Sequence, residues 1–211
     1  MGSANCLRDP LETARHAIQG GVGLIQFREK GPGCLEGAEK IRLAQELQAI
    51  CRENGVPFIV NDDLELACML DADGIHIGQE DEPMERVRRS MSGKIVGVSV
   101  HNLAEAVQAV RDGADYLGAG PMYPTATKKD AREVQGPALI RELRAGGITA
   151  PLIGIGGINP ANAGCVIHAG ADGIAVITAV TAADSPYAAA EQLSRAMLNE
   201  LQTGRQPEED G

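Results

Sequence analysis

The chain has 211 residues, 44% of them hydrophobic and only 2% aromatic, with 26 glycines and a net charge of −10. The apolar share excludes intrinsic disorder, and the glycines follow no period of three, which excludes a collagen-like chain. Their excess over the roughly 7% average signals tight turns or close backbone approach. An acidic chain with no tryptophan, two phenylalanines and three tyrosines lacks the basic, aromatic-studded face of a nucleic-acid binder. Local cations and backbone N–H groups still suffice for a phosphorylated small molecule.

In chain order, Asp9 and Pro10 read as N-cap and first residue of a helix carrying Leu11, Ala14 and Ile18 on one stripe. Short apolar runs then alternate with amphipathic segments: 23–28 (GLIQFR), 57–61 (PFIVN), 74–78 (GIHIG), 95–100 (IVGVSV), 114–120 (ADYLGAG), 151–156 (PLIGIG) and 173–178 (GIAVIT). Near-continuous apolar runs suit parallel strands buried on both faces. Between them, 36–54 and 103–112 repeat apolar residues at helical spacing. Asn159-Pro160 and Ser185-Pro186 read as openings of two further helices. One pattern returns three times: Asp71-Ala72-Asp73-Gly74-Ile75, Gly113-Ala114-Asp115-Tyr116-Leu117 and Gly170-Ala171-Asp172-Gly173-Ile174. Each copy closes a helix and enters a strand, the mark of repeated β-α units.

A doubly wound sheet and a closed TIM (β/α)8 barrel both fit this alternation. The barrel is favoured because polar residues gather after nearly every strand and not near one switch point. Only seven strands are visible, and residues 1–8 hold nothing that reads as the first strand of eight. The expectation is a barrel missing that strand, either open or incomplete at its N-terminus. Residues 1–202 are expected to form one domain, and the polar residues 203–211 a disordered tail. Five dispersed cysteines without a C-x-x-C pair suit a reducing compartment. No run approaches a membrane span or a signal peptide. The expected location is the cytoplasm.

The chemistry-bearing residues sit at the strand ends. Gln26 and Arg28 alternate to one side of the first visible strand, with Lys30 beyond them, and form either a diphosphate clamp or a solvated charge cluster. Asn61-Asp62-Asp63 and, one β-α unit later, Asp81 offer carboxylates able to hold a Mg²⁺ ion that keeps waters and takes phosphate ligands. Helix capping is the competing role for these acids. His76 sits inside its strand and reads as a structural residue or, less simply, an acid/base group; His101 follows Ser99 at a strand end. Residues 118–129, with Thr125, Thr127, Lys128 and Lys129 on one loop, can order over a phosphorylated ligand. Gly156-Gly157 and Ile177-Thr178 close the last two strands, where such barrels frequently bind phosphate.

The motifs QFREKG, FIVNDD, GIHIGQED, GVSVH, GADYLGAGPMYPTATKKD, PLIGIGGI and VIT, in this order from about Asp9 to Thr203, resemble the thiamine phosphate synthase family. The resemblance implies a TIM barrel that joins a hydroxymethylpyrimidine diphosphate to a thiazole phosphate, releasing diphosphate. It assigns Gln26, Phe27, Arg28, Glu29, Lys30, Asn61, Ser99 and Lys128 to the pyrimidine diphosphate. Asp62 and Asp81 become ligands of Mg²⁺, and Thr125, Ala126, Thr127, Gly157, Ile177 and Thr178 the thiazole phosphate site. The family commonly has Ser where Thr178 stands. Arg28, Lys30 and Lys128 are the implied catalytic cations, and no protein nucleophile is needed. Two rivals differ in testable ways. A thiazole tautomerase would use a His and no metal, and a binding or regulatory barrel would release no diphosphate. The sequence does not decide an oligomeric state.

Overall fold

Each apolar run forms a short strand whose neighbour in sequence is also its neighbour in space. The computed structural model describes residues 1–125 and 133–203. Among them, seven strands are joined in sequence order into one parallel sheet: β1 (Ile25–Phe27), β2 (Phe58–Asn61), β3 (Gly74–Ile77), β4 (Ile95–Val100), β5 (Tyr116–Ala119), β6 (Leu152–Ile155) and β7 (Gly173–Ala175). Parallel neighbours need a crossover, and helices supply it: α2 (Gly37–Glu53), α3 (Leu64–Met69), α4 (Met84–Ser90), α5 (Leu103–Arg111), α6 (Pro137–Ala145) and α7 (Ala163–His168). Before β1 runs α1 (Pro10–Gln19), and after β7 come α8 (Thr178–Thr181) and α9 (Pro186–Thr203). The fold is the expected α/β type, a curled parallel half-barrel with β1 and β7 at its edges.

Residues 1–7 contain no strand; a short 3₁₀ turn covers Ser3–Asn5. They nevertheless tie edge strand β1 to helix α8. The Met1 nitrogen donates to the Gln26 carbonyl at 2.5 Å, and the Met1 carbonyl accepts from the Arg28 amide at 2.8 Å. That pair of bonds is the pattern of one parallel-ladder position opposite Phe27. At the end of α8, the Leu7 amide reaches the Thr181 carbonyl at 2.9 Å, and the Thr181 hydroxyl donates to the Asn5 carbonyl at 2.6 Å.

The core lies between the sheet and its helices. Phe27 and Phe58, side by side on β1 and β2, stack with ring centroids 6.2 Å apart. Leu47, Leu117, Ile140, Leu143 and Leu152 are fully buried around the sheet. Each such side chain contributes about 1.5–3 kcal/mol relative to exposure.

The threefold repeat explains how strands are held at the end away from the site. The Asp73 amide donates to the Phe58 carbonyl at 3.0 Å, while its carboxylate accepts the Phe58 amide at 2.8 Å. Asp115 brackets Val96 in the same way at 2.8 and 2.7 Å, and Asp172 brackets Leu152 at 2.8 and 2.8 Å. Arginines complete two copies. Arg88 pairs with Asp115 at 2.7 Å and also reaches the Gly113 carbonyl, and Arg144 pairs with Asp172 at 2.5 Å and reaches the Gly170 carbonyl at 2.9 Å.

Two expected boundaries are corrected. Asn159-Pro160 opens a turn, not a helix: the Asn159 carboxamide accepts the Ala161 amide at 2.9 Å, and α7 starts after Asn162. The last strand ends at Ala175, so Ile177 and Thr178 are the cap and first residue of α8 instead of strand residues. Edge strand β7 has a ladder partner on one side only among the described residues, and the chain leaves it early. Ser185-Pro186 does open α9, with the Ser185 hydroxyl accepting the Ala188 amide at 3.2 Å.

Candidate active site

At the C-terminal ends of β1 to β4, adjacent residues divide structural and chemical work. Asp63 caps α3, accepting the Leu66 amide at 3.0 Å and pairing with Lys40 at 2.6 Å. Burial pushes its carboxyl up, but the Lys40 ammonium and the Leu66 amide outweigh that and hold it below the usual range. Capping is thus met by Asp63, and Asp62 is left to face the mouth of the sheet. Asp62 adopts a left-handed backbone (φ 63°), uncommon outside glycine and costly enough that it marks functional positions. Its amide donates to the His76 carbonyl at 2.8 Å, which fixes the residue against β3.

Asp81 does not cap α4, whose cap residue is Pro83. Its carboxylate accepts the Gly78 amide at 2.7 Å, folding the 78–81 turn back toward Asp62. The two carboxylates meet. Burial, then contact with Asp81, pushes the Asp62 carboxyl above its ordinary value despite the Lys30 ammonium 2.7 Å away. Lys30 is correspondingly held protonated by Asp62, with further help from Asp81. Asp62, Glu80, Asp81 and Glu82 line a cavity of about 430 Å³.

No group of three or more His, Cys, Asp or Glu residues is arranged to hold a metal among the described residues. A pair of hard carboxylates that repel each other suits a Mg²⁺ ion drawing the rest of its shell from water and substrate oxygens.

Near Lys30 lies a second cation. Arg28 is 8% exposed, and its guanidinium makes no hydrogen bond or ion pair with another described residue. A cation so placed at the strand ends suits an anionic ligand. Gln26, on the same side of β1, lies near the Tyr116 phenol. Phe27 points the other way into the core, leaving its main chain at the strand end.

Glu29 is engaged locally. Its carboxylate accepts the Ser3 amide at 2.7 Å, the Ser3 hydroxyl and the Leu35 amide at 2.9 Å. It thereby anchors the turn that follows the motif, with its side chain directed to protein donors. Asn61 ends β2 next to Asp62.

Inside the sheet's curl, sequence reasoning left a network unread. His76 is 6% exposed and uses both ring nitrogens, Nδ1 with the Tyr116 hydroxyl at 2.9 Å and Nε2 with the Ser99 hydroxyl at 2.8 Å. Tyr116 stands where the other two copies of the repeat have glycine, and that departure was the available signal. His101 is structural, pairing with Glu105 at 2.9 Å at the start of α5.

On the opposite flank, Gly156 and Gly157 both have positive φ (88° and 67°). A Cβ at Gly157 would lie 2.6 Å from the Tyr123 carbonyl, so only glycine fits there. Ile177 and Thr178 begin α8. Thr125 is engaged at the start of the loop, while Ala126, Thr127 and Lys128 lie outside the described residues.

A parallel α/β barrel-type sheet with a carboxylate pair and cations at its strand ends defines an enzyme of phosphorylated substrates. Residues 1–180 match the family model described as Thiamine monophosphate synthase. The chain is 57% identical over 197 residues to the thiamine-phosphate synthase of Geobacillus kaustophilus (strain HTA426), covering 93% of this chain and 89% of that one. It is 56% identical over 193 residues to that of Bacillus cereus (strain ATCC 10987 / NRS 248), covering 92% and 86%. Among solved structures, the thiamine phosphate pyrophosphorylase of Pyrococcus furiosus is 38% identical with a TM-score of 0.84, covering 92% of each chain. The chain belongs to the thiamine monophosphate synthase family.

Proposed function

We propose that the chain is a transferase that joins 4-amino-5-hydroxymethyl-2-methylpyrimidine diphosphate to 4-methyl-5-(2-phosphoethyl)thiazole, carboxylated or not, giving thiamine phosphate and diphosphate. The observation that carries this reading is the gathering of the Asp62–Asp81 pair and the cations Lys30 and Arg28 at the strand ends, on a chain of this family. An anion recognised there by cations and carboxylates together is one that arrives with a divalent metal, as a diphosphate does.

Asp62 and Asp81 would hold Mg²⁺, which when bound neutralises charge on the diphosphate oxygens. Arg28 and Lys30 take the diphosphate, and Lys128 reaches it from the loop. As the methylene C–O bond breaks, its electron pair leaves on the diphosphate, and the aminopyrimidine ring delocalises the remaining cation. The thiazole nitrogen donates its lone pair to form the new C–N bond, so no side chain need take a proton. Gly157, Ile177 and Thr178 offer main-chain amides to the thiazole phosphate, and Thr125, Ala126 and Thr127 are the further residues assigned to it. Catalysis then rests on positioning and electrostatics. No helix among the described residues is long and apolar enough to cross a membrane, and the cytoplasm is the proposed location.

Diphosphate release from the two purified substrates tests the reading. Release that depends on Mg²⁺, with Lys128→Ala slower by about tenfold or more, is expected. Thiazole isomerisation that survives EDTA, or binding without release, would replace it with the tautomerase or the regulatory barrel.

A further inference from the structure

Three polar side chains from three different strands meet in the interior of the sheet, with Gln26 of β1 near the first of them. The Tyr116 phenol of β5 meets His76 Nδ1 of β3 at 2.9 Å, and His76 Nε2 meets the Ser99 hydroxyl of β4 at 2.8 Å. The sequence makes room for them on purpose-shaped backbone. Gly97 pairs with Tyr116 in the ladder, and a Cβ there would stand 2.0 Å from the phenol Cζ. Gly118 pairs with Ser99, and a Cβ there would lie 3.0 Å from His76 Cε1. Barrel interiors are usually filled by branched apolar side chains; here two glycines accommodate a phenol and an imidazole instead.

Burial pushes the Tyr116 phenol well above its ordinary range, so it stays protonated, and the hydrogen-bond partner it has among the described residues is His76 Nδ1. The phenol proton is then turned to His76 Nδ1, which accepts. An imidazole accepting at Nδ1 carries its proton on Nε2 and donates it to the Ser99 oxygen. With its oxygen accepting from His76, the Ser99 hydroxyl keeps its own proton for another acceptor. The Ser99 main chain is pinned as well, its carbonyl accepting from Gln79 Nε2 at 2.7 Å.

We infer that Tyr116 and His76 are positioning residues forming a one-way hydrogen-bond relay that turns the Ser99 hydroxyl outward as a donor to the pyrimidine diphosphate. This rests on the proposed function only in naming the acceptor; the contacts of the relay stand on geometry, and its polarity is what the tautomer experiment reads. His76 moves no proton in the reaction and touches no reacting atom.

Two measurements test it on the full chain. Long-range ¹⁵N–¹H correlation of ¹⁵N-histidine-labelled protein should show His76 protonated at Nε2 and bare at Nδ1. The Nδ1-protonated form would overturn the relay, whether or not the protein turns over substrate. In the diphosphate-release assay, Tyr116→Phe and His76→Leu should each lower kcat/KM for the pyrimidine diphosphate about tenfold, the scale of one lost hydrogen bond to a charged group. His76→Gln, whose amide can still donate to Ser99, should recover at least half of that loss on a logarithmic scale. In a Ser99→Ala background, Tyr116→Phe should cost less than twofold, because the relay then ends on nothing. Equal losses with and without Ser99 would overturn the inference. Absence of any diphosphate release by the wild-type chain would instead sink the proposed function and leave the tautomer experiment to judge the relay.

Discussion

The two ends of the sheet use the same residue type in opposite ways. At the N-terminal ends, Asp73, Asp115 and Asp172 each accept the amide of the first residue, or the second, of a neighbouring strand, and Arg88 and Arg144 neutralise two of them. At the C-terminal ends, Asp62 and Asp81 lean on each other, and Arg28 has no side-chain partner among the described residues. The first arrangement satisfies its acids with backbone amides and arginines, whereas the second sets two carboxylates against each other near cations at the strand ends. An acid that satisfies backbone donors stabilises the fold; an acid held against another acid keeps an unfavourable charge density that a cation relieves.

The sharpest way to break this contrast is to neutralise one acid at the site. Asp62→Asn keeps a residue tolerant of the left-handed backbone and removes the repulsion with Asp81. Turnover should fall about a hundredfold or more, while the melting midpoint should hold or rise by about 1–2 °C. Calorimetry and diphosphate release on the same preparation check both halves. A lower midpoint would mean that Asp62 supports the fold as the repeat acids do.

The mirror experiment is Asp172→Ala. It orphans the Leu152 amide and leaves Arg144 without its carboxylate. An unsatisfied buried donor costs about 1–3 kcal/mol, so the midpoint should drop by about 3–10 °C for a chain this size. At 25 °C, where the variant stays folded, kcat/KM should remain within about twofold. A large kinetic loss with no thermal loss would erase the distinction between the two ends.

Within the site, Asp62 and Asp63 restate the contrast at neighbouring positions. Burial and Asp81 raise Asp62; Lys40 and the Leu66 amide lower Asp63. A carboxyl lowered by folding contributes stability above its unfolded value that is lost as pH falls through the folded one. A raised carboxyl binds its proton more tightly when folded, so its contribution declines as pH rises. Carboxyl-detected NMR titration should therefore find Asp62 protonated at higher pH than Asp63. Asp63→Asn should weaken the fold at neutral pH and lose its effect in acid, and the reverse order of titration would refute the division of labour.

Much of this was legible in the sequence. The apolar runs located all seven described strands, because parallel strands buried on both faces need continuous hydrophobicity. The strand-end motifs brought Arg28, Lys30, Asp62 and Asp81 to one place. Which acid caps and which faces the ligand was not legible, since Asn61-Asp62-Asp63 presents equivalent carboxylates until the left-handed turn at Asp62 separates them. The Tyr116–His76–Ser99 contacts join residues on three strands, and no local pattern encodes a meeting across the interior. At Ile177-Thr178 an apolar run continued past the last ladder bond into α8, where composition carries no boundary.

The smallest expected effect concerns the one copy of the repeat that lacks its glycine. Gly113 and Gly170 open the second and third copies at φ 94° and 107°, and Asp71 takes the first at φ 47°. An L-residue there carries a steric penalty that glycine avoids. Asp71 offsets it in two ways: its side chain pairs with Lys94 at 2.7 Å, and it restricts the unfolded chain more than glycine does. Asp71→Gly removes the penalty and both compensations together. The midpoint should move by no more than about 2 °C in either direction, with kcat/KM unchanged, because this position lies at the sheet end away from the site. A marked loss of stability would show that the Lys94 pair does for the first copy what Arg88 and Arg144 do for the other two.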